Sequence, residues 1–459
     1  MKNELAYHSP SAWERYADAR KQVQALAGRY LDFISRGKTE RETIAYAQER
    51  LAAAGFGEDF GGERVLRPLR GKALFAARRG TRPLEEGLAL IAAHADSPRL
   101  DFKQHPLVEQ PGVVQAKTHY YGGIRKYQWL ARPLALHGVI IRETGERVDV
   151  SIGEKPGEPV FCIADLLPHL AQKQGGQKLS EAFEAEKLNI ILGHAPDGSR
   201  ARGKKEEKED GLKDALLRLL HKKYGITEED LITAELEAVP AGAARFVGLD
   251  RALLGGYGQD DRICVFAALE ALLEADAAAS RPLAVIFWDK EEIGSDGATG
   301  AASRFFQYCV EDLAAAWAAG TSASHVLLNS RALSADVQAA LDPDFQEVHE
   351  KQNAALIGHG PCFSKFTGSR GKYGASEADA EFFAELRGIL NARKIPWQAA
   401  ELGKVDLGGG GTVALVLAAY GMRVIDLGPA LLSMHSPFEL ASAADLYATV
   451  EAYRAFFEA

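Results

Sequence analysis

At 459 residues the chain is far longer than one small core requires, which implies two or three domains or one large domain carrying an insertion. Its 47% hydrophobic and 25% charged content is that of a soluble globular protein. A net charge of -9 excludes a basic nucleic-acid footprint, and no run approaches the ~20 apolar residues of a membrane span. Cys162, Cys264, Cys309 and Cys362 form no C-x-x-C pair, so neither a zinc knuckle nor a disulfide framework is expected. The N-terminal residues lack a signal-peptide apolar core, and a cytoplasmic location is expected.

In chain order, apolar residues at helical spacing predict a helix over Ser11 to Arg36. A second helix is predicted from about Thr39 to Ala54, with Thr39 as its cap, Glu42 completing a capping box and Gly55 ending it. Two β-like pieces follow, Lys72 to Ala77 and Gly87 to Ala93. The second runs into His94-Ala95-Asp96-Ser97-Pro98. Residues two apart on a strand point the same way, so His94 and Asp96 converge at a strand end. Such a pair reads either as a structural histidine or as a metal ligand with its orienting acid. Pro98 forces a sharp exit.

From about residue 106 to 240 the texture becomes β-like, with strands predicted over Leu134 to Ile141 and Val148 to Ile152. The stretch Tyr120 to Trp129 combines aromatics, glycine and positive charge. It reads either as a packed loop at a contact or as a flap reaching a site. Arg200 to Asp210 is a mixed charge run expected to be a solvated loop, and Leu212 to Tyr224 a helix. The whole region reads as an insertion.

Gly255 to Arg262 then opens a helix over Ile263 to Leu273. The pair Asp260-Asp261 at its start suits either a helix cap or a metal. Leu283 to Trp288 is a short buried strand ending in Asp289-Lys290-Glu291-Glu292-Ile293-Gly294-Ser295. Carboxylates at such a strand end stand where α/β folds place ligands. Ser324 to Asn329 is predicted as another buried strand, followed by a polar loop ending in Asp336. The run Gly408 to Gly411 lacks a P-loop ending and reads as tight packing or close backbone approach to a substrate. Val424 to Gly428 is expected as the final buried strand, with His435 in the loop beyond.

His94, Asp96, Asp260, Glu291, Glu292, Asp336 and His435 all follow strands or sit in loops. Two histidines and several carboxylates without a thiolate suit a binuclear zinc or cobalt centre.

These segments carry a family resemblance. His94-Ala95-Asp96-Ser97-Pro98-Arg99-Leu100, Tyr121-Gly122-Gly123-Ile124, Gln259-Asp260-Asp261-Arg262, the Asp289 to Ser295 stretch, Ser334-Ala335-Asp336 and Met434-His435-Ser436 resemble the M18 metallopeptidases, the aspartyl aminopeptidase family, in its bacterial branch. The resemblance implies an α/β fold: a zinc-peptidase α/β/α sandwich over 1–105 and 241–459, interrupted by a β-rich dimerisation or lid domain over 106–240. It implies two divalent ions, zinc with cobalt or manganese as alternatives. Their ligands would be His94, Glu292, Asp336 and His435, with Asp260 bridging, Asp96 orienting His94 and Glu291 as general base.

It also implies removal of N-terminal Asp or Glu from peptides with a free N-terminus, and a homo-oligomer, a dodecamer built from dimers. No nucleic acid or membrane partner is implied. His349 stands where the family has a substrate-pocket histidine, and Lys365 near its substrate-contacting lysine, with Arg370 and Lys372 competing for that role. The family's partner-subunit histidine in the glycine-rich flap has no counterpart in this sequence; Lys126 falls in that neighbourhood. Two other functions fit the residues: a metal amidohydrolase of N-acyl amino acids, and an oligomeric shell without activity. The intact Glu291-Glu292 pair argues against the second.

Overall fold

The computed structural model describes residues 5–196, 211–276 and 279–459. The Arg200 to Asp210 charge run lies outside them. Contacts divide the chain into two units. One comprises Met1–Ser97, Ala244–Met434 and Phe438–Ala459; the other comprises Pro98–Ala243 and His435–Pro437.

The first unit is built on an eight-stranded sheet. Its order is Arg64–Leu69, Ala73–Arg78, Leu283–Trp288, Ala89–His94, Arg331–Ser334, Arg423–Gly428, Cys362–Ser364, Gln398–Ala399. The four strands Leu283–Trp288, Ala89–His94, Arg331–Ser334 and Arg423–Gly428 run parallel. Every residue of Leu283–Trp288 is fully buried. An unbroken apolar run is what a strand covered on both faces requires.

One face, with Ile91, Val285, Phe287 and Leu333, packs under the helices Arg20–Arg36, Glu40–Ala53, Gln259–Glu274, Ala380–Ala392 and Ala443–Phe457. The other, with Leu90, Ile286, Trp288 and Ala332, packs against Phe305–Trp317, Ala323–Asn329 and Ala414–Ala418. The unit is thus the α/β/α sandwich expected, flanked by a small five-stranded sheet.

The second unit is β-rich. Six antiparallel strands run in the order Arg147–Ile152, Leu134–Ile141, Glu235–Pro240, Arg99–Gln110, Val113–Tyr121, Ile190–Gly193. The helix Leu212–Tyr224 lays Leu216, Leu217 and Leu220 against Leu107, Leu136 and Ile140. Gly225, at φ 67°, ends it in the left-handed conformation glycine tolerates.

Thr39 and Glu42 form the expected capping box at the start of Glu40–Ala53. Three expectations are corrected. The helix predicted from Ser11 to Arg36 is broken into Ala12–Arg15, a 3₁₀ turn Ala17–Ala19 and Arg20–Arg36. Its first turn is tied elsewhere: the Ala12 N–H donates to Gly358 and the Arg15 guanidinium to Lys394. Ser324 to Asn329 is not a strand but part of the helix Ala323–Asn329, which buries Val326 and Leu327 and leaves Leu328 exposed. The strand is the next segment, Arg331–Ser334. A short apolar run does not discriminate helix from strand, and the polar ends of Arg331–Ser334 disguise a central strand. Arg423–Gly428 is not the last strand, since Ala430–Leu432 and Glu439–Ser442 follow it.

Candidate metal centre

The carboxyl ends of two parallel strands create the site. Trp288 pairs with His94 in register, and the Ala95 N–H donates to the Trp288 carbonyl at 2.7 Å. Both chains therefore leave the sheet together. One delivers His94 and Asp96, the other Asp289 to Glu292. The Ala335 N–H donates to Ala92, which brings Asp336 to the same edge.

His94 is almost fully buried. Its Nε2 lies 3.3 Å from Asp260 Oδ1 and 3.9 Å from Glu291 Oε2, and its Nδ1 lies 3.3 Å from Asp96 Oδ1. Among the residues of the first unit two groups of ligand atoms converge: His94 with Asp260 and Asp336, and His94 with Glu291 and Glu292. Within each group the atoms lie inside 4.8 Å of one another.

Asp96 does more than face His94. Its Oδ1 accepts the Glu291 N–H and its Oδ2 the Glu292 N–H, each at 3.2 Å. One buried carboxylate thus holds the turn that presents both glutamates. Lys290 enters that turn at φ 72° and Gly294 leaves it at φ 100°. Asp289 is buried behind it and accepts from the Thr299 hydroxyl.

Sequence spacing does not separate Asp260 from Asp261, but the fold does. Asp260 faces His94 Nε2, whereas Asp261 Oδ2 accepts the His94 backbone N–H at 3.2 Å. Asp261 was not among the expected site residues. Nothing in a pair of adjacent aspartates says which one turns toward the strand.

The electrostatics favour a cation. Burial works against the His94 imidazolium, yet Asp260 and Asp96 outweigh it and hold its pKa well above the ordinary value. Burial, reinforced by Asp261 and Asp260, holds Asp336 well above the usual carboxylate range. Burial does the same to Asp261. Carboxyl groups crowded around one imidazole are costly to ionise together without a cation among them, and imidazole plus carboxylate is a donor set that fits a divalent transition ion.

The remaining expected residues are placed as follows. His435 sits in a loop at φ 62°, is grouped by its contacts with the second unit, and has Nδ1 3.0 Å from the Gly123 carbonyl. Lys126 is half-buried at the start of that unit's 3₁₀ turn Lys126–Trp129, its Nζ 3.3 Å from the Ser180 carbonyl. His349 is buried after the 3₁₀ turn Gln346–Val348. Lys365 follows the strand Cys362–Ser364, with its Nζ 4.9 Å from the Phe366 ring centroid.

A cavity of about 470 Å³ opens beside Asp336, bounded by Phe366, Arg370, Gly409, Thr412 and Asp426. Among the described residues Arg370 is its one basic lining residue; Glu377, Glu401 and the buried Asp426 also line it. The glycine run packs tightly here. A Cβ on Gly408 would lie 2.0 Å from the Leu402 carbonyl oxygen, and one on Gly409 2.2 Å from that of Gly368.

Residues 33–457 match the family described as aminopeptidase I zinc metalloprotease (M18). A Clostridium acetobutylicum protein described as a probable M18 family aminopeptidase 1 is 46% identical, over 99% of each chain. A Thermotoga maritima protein of the same description is 47% identical, over 96% of this chain and 97% of its own. The crystal structure of an M18 family aminopeptidase from Thermotoga maritima superposes with a TM-score of 0.93, at 45% identity, over 99% of this chain and 100% of that one. The chain therefore belongs to the M18 family of zinc metallopeptidases, and it is a hydrolase of the aminopeptidase class.

Proposed function

We propose that the chain is a two-metal aminopeptidase that removes Asp and Glu from the N-termini of peptides, with Glu291 as its proton carrier. The observation that carries this reading is the convergence of His94, Asp260 and Asp336 beside His94, Glu291 and Glu292. His94, Glu292, Asp336 and His435 would hold the ions and Asp260 would bridge them. Zinc is the proposed metal, with cobalt and manganese as alternatives. Bound divalent ions supply Lewis acidity toward the scissile carbonyl and make water nucleophilic near neutral pH.

The protein's own groups do the rest. Glu291 accepts the proton of the water that attacks the first peptide carbonyl, then gives it to the leaving nitrogen. Its Oε2, 3.9 Å from His94 Nε2, stands beside the ligand set. Asp96 fixes its backbone, which removes the entropy of finding the reacting position. The cavity beside Asp336 would receive the N-terminal side chain. Arg370 lines that cavity and is the residue proposed to read a carboxylate there, with Lys365 and His349 as the other candidates.

The second unit is proposed as a dimerisation or lid element carrying Lys126. The assembly is proposed as a dodecamer built from dimers, working in the cytoplasm. Among the described residues no helix is long and apolar enough to cross a membrane.

The test is turnover of a panel of aminoacyl peptides, free or N-acetylated, after chelation and readdition of zinc, cobalt or manganese. Metal-dependent cleavage of free peptides led by Asp and Glu is expected. Preferential cleavage of acetylated substrates would favour an amidohydrolase acting on N-acyl amino acids. No turnover with any metal would leave a non-catalytic shell.

A further inference from the structure

Asp260 sits in a segment that leaves the helical path. Its φ/ψ of -79°, 111° and those of Asp261, -113°, 21°, are not helical, although the helix containing them spans Gln259–Glu274. Gly258 precedes them in the left-handed conformation and offers no side-chain cap. Backbone N–H groups here lie outside the helical ladder and need acceptors.

Glu439 supplies one. It lies on the strand Glu439–Ser442, pairs with Gly256 across the small sheet, and is 1% exposed. Its Oε2 accepts the Gln259 N–H at 2.5 Å and lies 3.4 Å from the Asp260 nitrogen. The Gln259 amide ties the same two strands, donating to the carbonyls of Leu254 and Glu439, while the Tyr30 hydroxyl donates to its oxygen. On the other side the Ser97 hydroxyl donates to the Asp260 carbonyl at 2.7 Å. The Asp260 peptide is thus held from both ends. An aspartate at a helix start ordinarily turns back to cap its own helix. Here a distant carboxylate serves that backbone, and the Asp260 side chain faces His94 Nε2 instead.

We propose that Glu439 is a positioning residue for the metal centre: by accepting the N–H groups of Gln259 and Asp260 it fixes the Asp260 carboxylate against His94, and so sets the affinity of the centre for its ions. The inference rests on Asp260 being a ligand, as proposed above. A buried carboxylate near other carboxylates is costly, and charge-assisted backbone hydrogen bonds contribute to offsetting that cost. Partners of this kind are worth about 10- to 100-fold in metal affinity.

The test uses the full chain stripped of metal, with cobalt(II) as the probe, read by chelator competition and by its visible spectrum. Glu439→Gln is expected to keep a metal-free unfolding midpoint close to wild type, to lose at least tenfold in cobalt affinity and to change the spectrum, with KM little altered. Asp445→Asn is the structural control. It removes a buried carboxylate that accepts the Gly358 and Gly360 N–H groups, and it should lower the midpoint without changing cobalt affinity. Should Glu439→Gln fail to fold, Ser97→Ala removes the other tie and should lower affinity in the same direction. Wild-type cobalt affinity in Glu439→Gln, or in Ser97→Ala where that variant replaces it, overturns the proposal. So does a loss that merely tracks the metal-free midpoint. Wild-type affinity in Asp260→Asn would instead overturn the ligand assignment, and the inference with it.

Discussion

Trp288 and His94 are register partners on adjacent parallel strands, so the segments that follow them emerge at the same level of the sheet. This is why Asp96, two residues beyond one strand, can accept the N–H groups of Glu291 and Glu292, which follow the other. Asp96, Glu291 and Glu292 are brought together by one pairing.

Glu291→Gln keeps the backbone N–H that Asp96 accepts but removes the proton acceptor. A drop in kcat of roughly 10²- to 10⁴-fold is expected, with KM and bound metal near wild type. Steady-state kinetics alongside metal analysis of the same sample checks this. Unchanged kcat would remove Glu291 from the chemistry.

Arg370→Ala should cost roughly 10- to 100-fold in kcat/KM toward peptides beginning with Asp or Glu, the scale of a hydrogen bond to a charged group, and little toward Leu. Lys365→Ala should cost less, because its ammonium lies over Phe366 and the side chain is not among the cavity's lining. The ratio of the two substrate classes is the measurement. An equal loss on both would assign Arg370 to packing.

Gly428→Ala tests the geometry around Asp336. A Cβ there would lie 2.1 Å from the Asp336 carbonyl oxygen, which is backbone and cannot swing aside. Metal content after gel filtration and kcat should fall together, by roughly tenfold or more, as the Asp336 peptide is displaced. Full metal content in the variant would show that Asp336 tolerates the shift.

Asp445 gives a pH dependence of stability. Burial pushes its carboxyl up to about 7, against the pull of the Gly358 and Gly360 N–H groups. Between about pH 4 and pH 7 the unfolded chain has released this proton while the folded chain keeps it. The contribution is therefore complete below the unfolded pKa and fades as pH rises through 7, at roughly 1.4 kcal/mol per pKa unit. Urea unfolding at pH 5 and pH 8 should show a steeper loss for wild type than for Asp445→Asn. Equal slopes would exclude Asp445 as the source.

Much of this was legible in the sequence where local chemistry and tertiary context agree. Leu283 to Trp288 reads as a buried strand because nothing polar interrupts it. Thr39 and Glu42 announce a helix start because the capping box is local. Strand alternation predicts that His94 and Asp96 converge; they do meet, Nδ1 to Oδ1 at 3.3 Å, although Asp96 lies two residues beyond the strand end. Legibility fails where a distant group decides. Arg331–Ser334 hides a central strand because Arg331 is paired with Glu385 and Ser334 is buried by the fold, not by its own character. Asp261 and Glu439 could not be singled out, since their partners are backbone groups whose positions no spacing encodes.

The chain departs for its second unit just after Asp96 and returns shortly before Asp260, and the Ser97 hydroxyl joins exit to return through the Asp260 carbonyl. The excursion is a long loop closed at its neck by that bond. Closing such a loop costs free energy that grows only logarithmically with its length. Lengthening the excursion by some residues would therefore add little to the cost of bringing Ser97 and Asp260 together.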